Sequence, residues 1–245
     1  MPLQADCIQP DWPAPRRVKS LFTTRAGGVS QGLHGSLNFG TRVGDSMDAV
    51  AQNRERLRAV LPADPHWLRQ VHGVAVVAAD DAAPDAVADA AYTRSAQVVC
   101  AIQVADCLPV LLCDRDAEIV AAAHAGWRGL SGGVLENTIT ALAIEPDRLL
   151  AWLGPAIGPE AFEVGQDVVD AFIADDRDAH RAFKPLRPGK WLADLYALAR
   201  RRLIRAGVTS IFGGNFCTFS DGDRFFSHRR DRVTGRHAAL VWLAD

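Results

Sequence analysis

Along the chain, apolar positions fall into short runs broken by Gly, Pro and charged residues, and the spacing inside each run sets the element it predicts. In residues 46–61 (SMDAVAQNRERLRAVL) apolar side chains stand at 50, 57, 60 and 61 behind a Ser placed to cap, which predicts an amphipathic helix closed by Pro62. Residues 133–144, 166–174 and 192–206 read as further helices, with Gly207 placed to end the last of them. Short β-branched or continuous apolar runs predict strands at 67–71, 74–78, 97–104, 110–113, 119–123, 149–153, 208–212, 224–227 and 238–243. Helices and strands mix without a strict βαβ alternation, so an α/β fold with a mixed sheet is expected. No internal repeat or low-complexity linker interrupts it, and one domain over 1–245 follows. The strand from 97 runs into Ala105-Asp106-Cys107-Leu108-Pro109, and the strand from 119 into His124-Ala125-Gly126-Trp127-Arg128-Gly129. Both polar clusters therefore sit at strand ends, where sites are commonly built.

Composition narrows the class. With 245 residues, 49% of them hydrophobic, the chain can bury a full core. A formal charge of −2 gives no global attraction to nucleic acid or to an anionic membrane. The charge is uneven, however: residues 163–178 hold six acids and one Arg, whereas residues 200–236 hold nine Arg, three Asp and no Glu. That cationic stretch suits a salt-bridged surface or an anionic small ligand. Residues 1–15 carry Asp6, Asp11 and four Pro without an apolar core, unlike a signal peptide, and no apolar run reaches the length of a membrane helix. A cytoplasmic location is the expectation. Five scattered Cys without a CxxC pair argue against a disulfide framework and for free thiols.

The question is then which thiol does chemistry. His72 in Gln70-Val71-His72-Gly73, Cys107 and His124 each follow a predicted strand beside a residue that breaks its pattern. Two imidazoles and a thiolate suit a borderline-soft divalent ion and leave a fourth tetrahedral position open, the layout of a catalytic zinc site. Their spacing matches no zinc-finger pattern. Taken singly, a Cys in an apolar run is usually core and a lone His usually a hydrogen-bonded structural one. Cys100 and Cys113, inside apolar runs, are assigned to the core.

A longer series of motifs then occurs in one order: Thr24-Arg25-Ala26-Gly27-Gly28-Val29-Ser30, Ser36-Leu37-Asn38-Phe39-Gly40, Val43-Gly44-Asp45, Asn53-Arg54, Gln70-Val71-His72-Gly73, the Cys107 and His124 clusters, and Gly154-Pro155-Ala156-Ile157-Gly158. It continues through Cys217-Thr218 and Ser227-His228-Arg229-Arg230-Asp231 to Thr234-Gly235-Arg236. This set resembles the laccase-domain family of bacterial purine nucleoside phosphorylases, also described as polyphenol oxidases and as peptidoglycan editing factors, over nearly the whole chain. The resemblance implies a layered α/β/β/α sandwich and places His72, Cys107 and His124 on the family's metal ligands and catalytic residues. It also implies phosphorolysis of adenosine, inosine and methylthioadenosine, together with adenosine deamination, so the expected partners are a purine nucleoside and inorganic phosphate. Zn2+ is the expected cofactor, with Cu2+ as the alternative.

Around this triplet, Asp106 is a candidate proton shuttle or a structural carboxylate, and Asn38 and Arg54 are candidate substrate contacts. The Gly27-Gly28 turn with Arg25, and the Arg229-Arg230 pair, are candidate phosphate binders; for the glycines a plain tight turn is the alternative. His228 reads equally as a general acid or as a surface histidine. The zinc-deaminase signature H-x-E with P-C-x-x-C is absent, so deamination would need another arrangement. Two other activities use the same three residues: a copper polyphenol oxidase, for which only Met1 and Met47 are available as axial Met, and a cysteine hydrolase with Cys107 as nucleophile, the class of the peptidoglycan-editing role.

Overall fold

The computed structural model describes residues 7–245; Met1 and Asp6, which entered the reading of the N-terminal segment, lie outside the described residues. The chain begins with β1 (Val18–Phe22), α1 (Met47–Arg58), β2 (Pro65–His66), β3 (Val76–Ala78), β4 (Ala90–Thr93), β5 (Val99–Val104), β6 (Leu108–Asp114) and β7 (Val120–Ala125). It continues with α2 (Trp127–Gly132), α3 (Val134–Leu142), β8 (Leu149–Leu153), β9 (Glu163–Gly165), α4 (Gln166–Ile173), β10 (Phe183–Arg187) and β11 (Lys190–Ala193). The last elements are α5 (Leu195–Arg205), β12 (Ser210–Gly213), α6 (His228–Asp231) and β13 (His237–Leu243).

Three sheets result, ordered β1-β13-β5-β2, β12-β8-β6-β7-β4-β3 and β10-β11-β9. The first two are mixed, with parallel pairs β2–β5, β3–β4 and β8–β12 among antiparallel ones. Strand alternation sets the layers. In β6, Val110 and Leu112 pack with residues of α3, α4 and α5, whereas Leu111 and Cys113 pack against the other large sheet. In β5, Cys100, Ile102 and Val104 face that same inter-sheet core, and Val99 and Ala101 turn to Leu57 of α1. The order α1, four-stranded sheet, six-stranded sheet, α3–α5 is the α/β/β/α sandwich expected.

Most predicted elements are present within a few residues, and three differ for identifiable reasons. Residues 67–71 are not a strand: Arg69 makes one isolated bridge to Val87, and the Gln70 side chain takes the place of the ladder. Its amide donates to the Gln103 carbonyl at 2.8 Å and accepts from the Gln103 N–H at 2.8 Å. Residues 224–227 form no strand either: Arg224 ends a turn in which the Phe225 N–H donates to the Asp221 carbonyl, the Phe226 N–H donates to His237 Nε2, and the Phe225 carbonyl accepts from Arg230. The helix expected over 192–206 starts at Leu195, because Asp194 caps it by accepting from the Ala197 N–H and the preceding residues pair in β11. β1, β4, β9, β10, β11, α2 and α6 carry no pattern that marked them in the sequence.

Cys100, Cys107, Cys113 and Cys217 are free thiols. Cys100 and Cys113 lie fully inside the inter-sheet core, where burial pushes both thiols up, Cys113 to about 12. Native protein treated with a thiol reagent should leave both unmodified until it unfolds, as mapped by mass spectrometry; labelling of either at the rate of an exposed thiol would contradict this packing.

Candidate metal centre

The site lies at the seam between the two large sheets. β5 belongs to the four-stranded sheet and β6 to the six-stranded one, so the chain crosses between them at Ala105-Asp106-Cys107. Asp106 takes a left-handed backbone (φ 82°) to make this turn, and Cys107 emerges directly before β6. β7 pairs with β6 in a register that sets Pro109 opposite His124 and Leu108 opposite Ala125. Cys107 and His124 are thereby neighbours. His72 arrives on the irregular segment that Gln70 fastens to β5, and it too has a left-handed backbone (φ 60°). Gly126 leaves the space in which they meet: a Cβ there would stand 2.9 Å from Cys107 Sγ and 3.2 Å from His72 Cδ2.

A residue that sequence reasoning missed organises this convergence. Asp89 is 0% exposed, and its carboxylate accepts the backbone N–H groups of Val71 (3.1 Å), His72 (3.0 Å) and Gly73 (2.7 Å). Its Oδ1 also accepts from His124 Nδ1 at 2.7 Å, which leaves Nε2 as the free ligand atom of that ring. One carboxylate thus holds the turn bearing one imidazole and orients the other. The only sequence signal was an acid inside the apolar run 86–91.

One donor atom from each of His72, Cys107 and His124 lies within 4.8 Å of the others, with Cys107 Sγ 3.8 Å from His72 Nε2. Tetrahedral zinc with nitrogen and sulfur ligands spaces its donors by roughly 3.3–3.8 Å, so small side-chain adjustments close the set around one ion. The chemistry of the donors fits as well. Burial would push the Cys107 thiol up, but His124 and then His72 outweigh it and bring it down to about 6. Burial likewise opposes charge on His124, yet Cys107 and Asp89 raise it to about 9. Asp89 stays below the usual carboxylate range despite its burial, held there by His124 and the N–H groups of the turn. A thiolate is therefore present at neutral pH, as metal ligation requires.

The triplet opens into a cavity of about 1080 Å3 whose wall includes Arg54, Trp67, Asp106, Trp127, His228, Arg229 and Arg236. Arg54 reaches it with its guanidinium over the Trp67 ring (4.5 Å) and one N–H on the Phe39 carbonyl. Asp106 borders it, but its oxygens already accept from Thr218 Oγ1 (2.6 Å), Ser227 Oγ (3.0 Å) and the Arg229 N–H (2.6 Å). Asn38 is buried away from the cavity: its amide binds Gly40, Asp45 Oδ2 and the Arg236 N–H. Arg25 spends its guanidinium on the carbonyls of Gly35 and Gly222, and a Cβ at Gly28 would collide with the Ser36 carbonyl. That loop is built as a tight turn. Of the Arg229-Arg230 pair, only Arg229 faces the cavity; Arg230 donates to Thr218, Phe219 and Phe225 carbonyls and to Asp231. His228 borders the cavity with Nδ1 on the Arg232 carbonyl.

Comparison with known proteins agrees with this architecture. Residues 19–244 match the family model described as multi-copper polyphenol oxidoreductase laccase. The chain is 56% identical to a purine nucleoside phosphorylase of Pseudomonas aeruginosa, covering 97% of this chain and 98% of that one. It is 51% identical to the purine nucleoside phosphorylase YfiH of Escherichia coli, covering 96% and 98%. A crystal structure of a Neisseria meningitidis protein, 53% identical, superposes with a TM-score of 0.95 over 98% of this chain and 100% of that one. No helix among the described residues is long and apolar enough to cross a membrane.

Two measurements test the centre. Asp89→Asn keeps the shape but loses the charge that orients His124, and should weaken metal binding by about 10–100-fold in a chelator competition; unchanged affinity would contradict the role given to Asp89. In metal-free protein, alkylation of Cys107 should be half-maximal near pH 6 and fall as the thiolate protonates below it. A midpoint near the ordinary thiol value of about 8.5 would contradict the pairing with His124.

Proposed function

The chain belongs to the multi-copper polyphenol oxidoreductase laccase family, and from that premise we propose that it is a cytoplasmic, zinc-dependent purine nucleoside phosphorylase acting on adenosine, inosine and methylthioadenosine, with adenosine deamination as a companion activity. The observation that carries the reading is the convergence of His72, Cys107 and His124 on one wall of a cavity rich in arginine. The names of the P. aeruginosa and E. coli relatives support it. A copper oxidase of the multicopper kind would need further ligand groups, and among the described residues this is the one cluster of three or more His, Cys, Asp or Glu placed to hold an ion.

Phosphorolysis breaks the bond from C1′ of the ribose to N9 of the purine while a phosphate oxygen bonds to C1′. Bound by the triplet, zinc would supply Lewis-acid charge at the reacting centre. The chain's own groups do the rest: Arg54, backed by Trp67, offers a cationic face to substrate, and His228 stands at the cavity edge as a proton donor. Asp106, with three donors on its oxygens, holds Arg229 and the turn of Cys107 in place instead of carrying a proton.

One observation favours a second reading. Cys107 Sγ lies 3.8 Å from His72 Nε2, with the two imidazoles lowering its thiol, and such a pair is also the dyad of a cysteine hydrolase, the class to which editing of a peptidoglycan precursor belongs. Product analysis by mass spectrometry separates the two. Metal-loaded protein with adenosine should yield ribose 1-phosphate and adenine only when phosphate is present, with inosine as the product of the companion reaction. Cys107→Ala and His124→Ala should lose both metal and turnover. Turnover that survives in metal-free wild type but not in Cys107→Ala would favour the hydrolase.

A further inference from the structure

We infer that Arg236 and Arg229 form an oxyanion subsite in the cavity wall on the Cys107 side, and that inorganic phosphate is the ligand it takes; the inference rests on the phosphorylase reading and adds where the second substrate binds. Arg42 is ion-paired with Asp85 at the exposed rim, at 2.5 Å. Arg54 lies over Trp67 with an N–H on Phe39, and Arg128 is exposed over the Trp127 ring. Arg54 is also half-buried without an ion pair among the described residues, but its Nη2 is taken by the Phe39 carbonyl. Arg229, whose guanidinium lies over the Phe162 ring at 5.3 Å, and Arg236 are half-buried at the cavity, make no ion pair with any described residue and keep Nη2 open.

Their hydrogen bonds use the same atom of each guanidinium. Arg236 donates from Nη1 to the carbonyls of Thr234 and Gly235, each at 3.0 Å, and its backbone N–H is held by Asn38 Oδ1 at 2.8 Å. Arg229 donates from Nη1 to the Glu163 carbonyl at 2.7 Å, and its backbone N–H is held by Asp106 Oδ2 at 2.6 Å. In both, Nε and Nη2 make no hydrogen bond to any described residue. Nε and Nη2 form the side-on edge of a guanidinium, the fork that binds an oxyanion through two parallel N–H groups. Both arginines are also tied to the metal-site turn. Asp106 holds Arg229 directly, and the charges of Asp106 and Cys107 act on the Arg236 guanidinium. Burial outweighs the support that the Cys107 and Asp106 charges give the Arg236 cation, and a bound oxyanion adds to that support. Asn38, expected to touch substrate, then acts one step away, through the backbone of Arg236.

In the reaction, hydrogen phosphate held on these edges presents one oxygen to C1′. The new bond joins that oxygen to C1′, the C1′–N9 pair leaves with the purine, and the proton of hydrogen phosphate ends on the purine. The products are ribose 1-phosphate and free base, with no further reactant consumed.

The test uses metal-loaded full-length protein, inorganic phosphate as the calorimetric probe, and phosphate and nucleoside KM values read separately. Arg236→Gln should weaken phosphate binding and raise the phosphate KM by about 10–100-fold, while the nucleoside KM moves less than about threefold. Arg236→Lys should fall between, and Arg42→Gln at the rim should change neither. Arg229→Gln repeats the test should Arg236→Gln fail to fold. Unchanged phosphate affinity in both folded Gln variants, or a parallel rise of both KM values, would overturn the subsite. Ribose 1-phosphate formed with an unaltered phosphate KM would overturn the subsite and leave the phosphorylase reading standing. Phosphate binding lost in the variants, in a wild type that never forms ribose 1-phosphate, would support the subsite and sink that reading.

Discussion

The interaction on which the site depends is the burial of the Asp89 carboxylate among three backbone N–H groups and one imidazole. A carboxylate without solvent is tolerable only when its oxygens are filled by donors, and here the donors are the parts that must converge. The N–H groups belong to the turn that carries His72 in a left-handed backbone, and the imidazole is His124. Breaking a buried pair of this kind typically costs about 3–5 kcal/mol, enough to matter to a protein of ordinary stability. The same contact therefore helps hold the fold and sets the geometry of the ligands.

Sheet topology brings the charge there. β4 and β7 pair with Ala90 opposite Ala123, and the His124 N–H donates to the Asp89 carbonyl at 2.7 Å, so register alone places Asp89 beside His124. The crossover from β5 to β6 brings Cys107 to the same seam, and the Gln70 amide ties the His72 segment to β5. Asp106 repeats the device on the opposite side, taking Thr218, Ser227 and the start of α6. Two carboxylates near the ends of two sheets thus fasten loops that would otherwise move independently, and the cavity lies between those loops.

What was legible in the sequence follows from this. β5, β6, β7, β8 and β13 are apolar because both faces are covered, and a continuous apolar run announces such a strand. The segments 67–71 and 224–227 read as strands from the apolar residues Trp67, Leu68, Val71, Phe225 and Phe226, while their backbone groups are met by Asp85, Ala86 and Asp89 in the first and by His237 and Arg230 in the second; no periodicity encodes that substitution. His72, Cys107 and His124 stood out by residue type and by position after a strand. Asp89 did not, since its meaning depends on a register between β4 and β7 that the chain reveals only when folded. Asn38 shows the reverse case: its place in a motif pointed to substrate, and its hydrogen bonds lead to the backbone of Arg236 instead.

The proposed role of this clamp is to assemble one mononuclear His-Cys-His metal centre. X-ray absorption at the metal edge of protein as isolated measures it directly. One sulfur at about 2.3 Å and two imidazole nitrogens at about 2.0–2.1 Å are expected, with the sulfur missing in Cys107→Ala. A metal shell without sulfur, identical in wild type and Cys107→Ala, would contradict it.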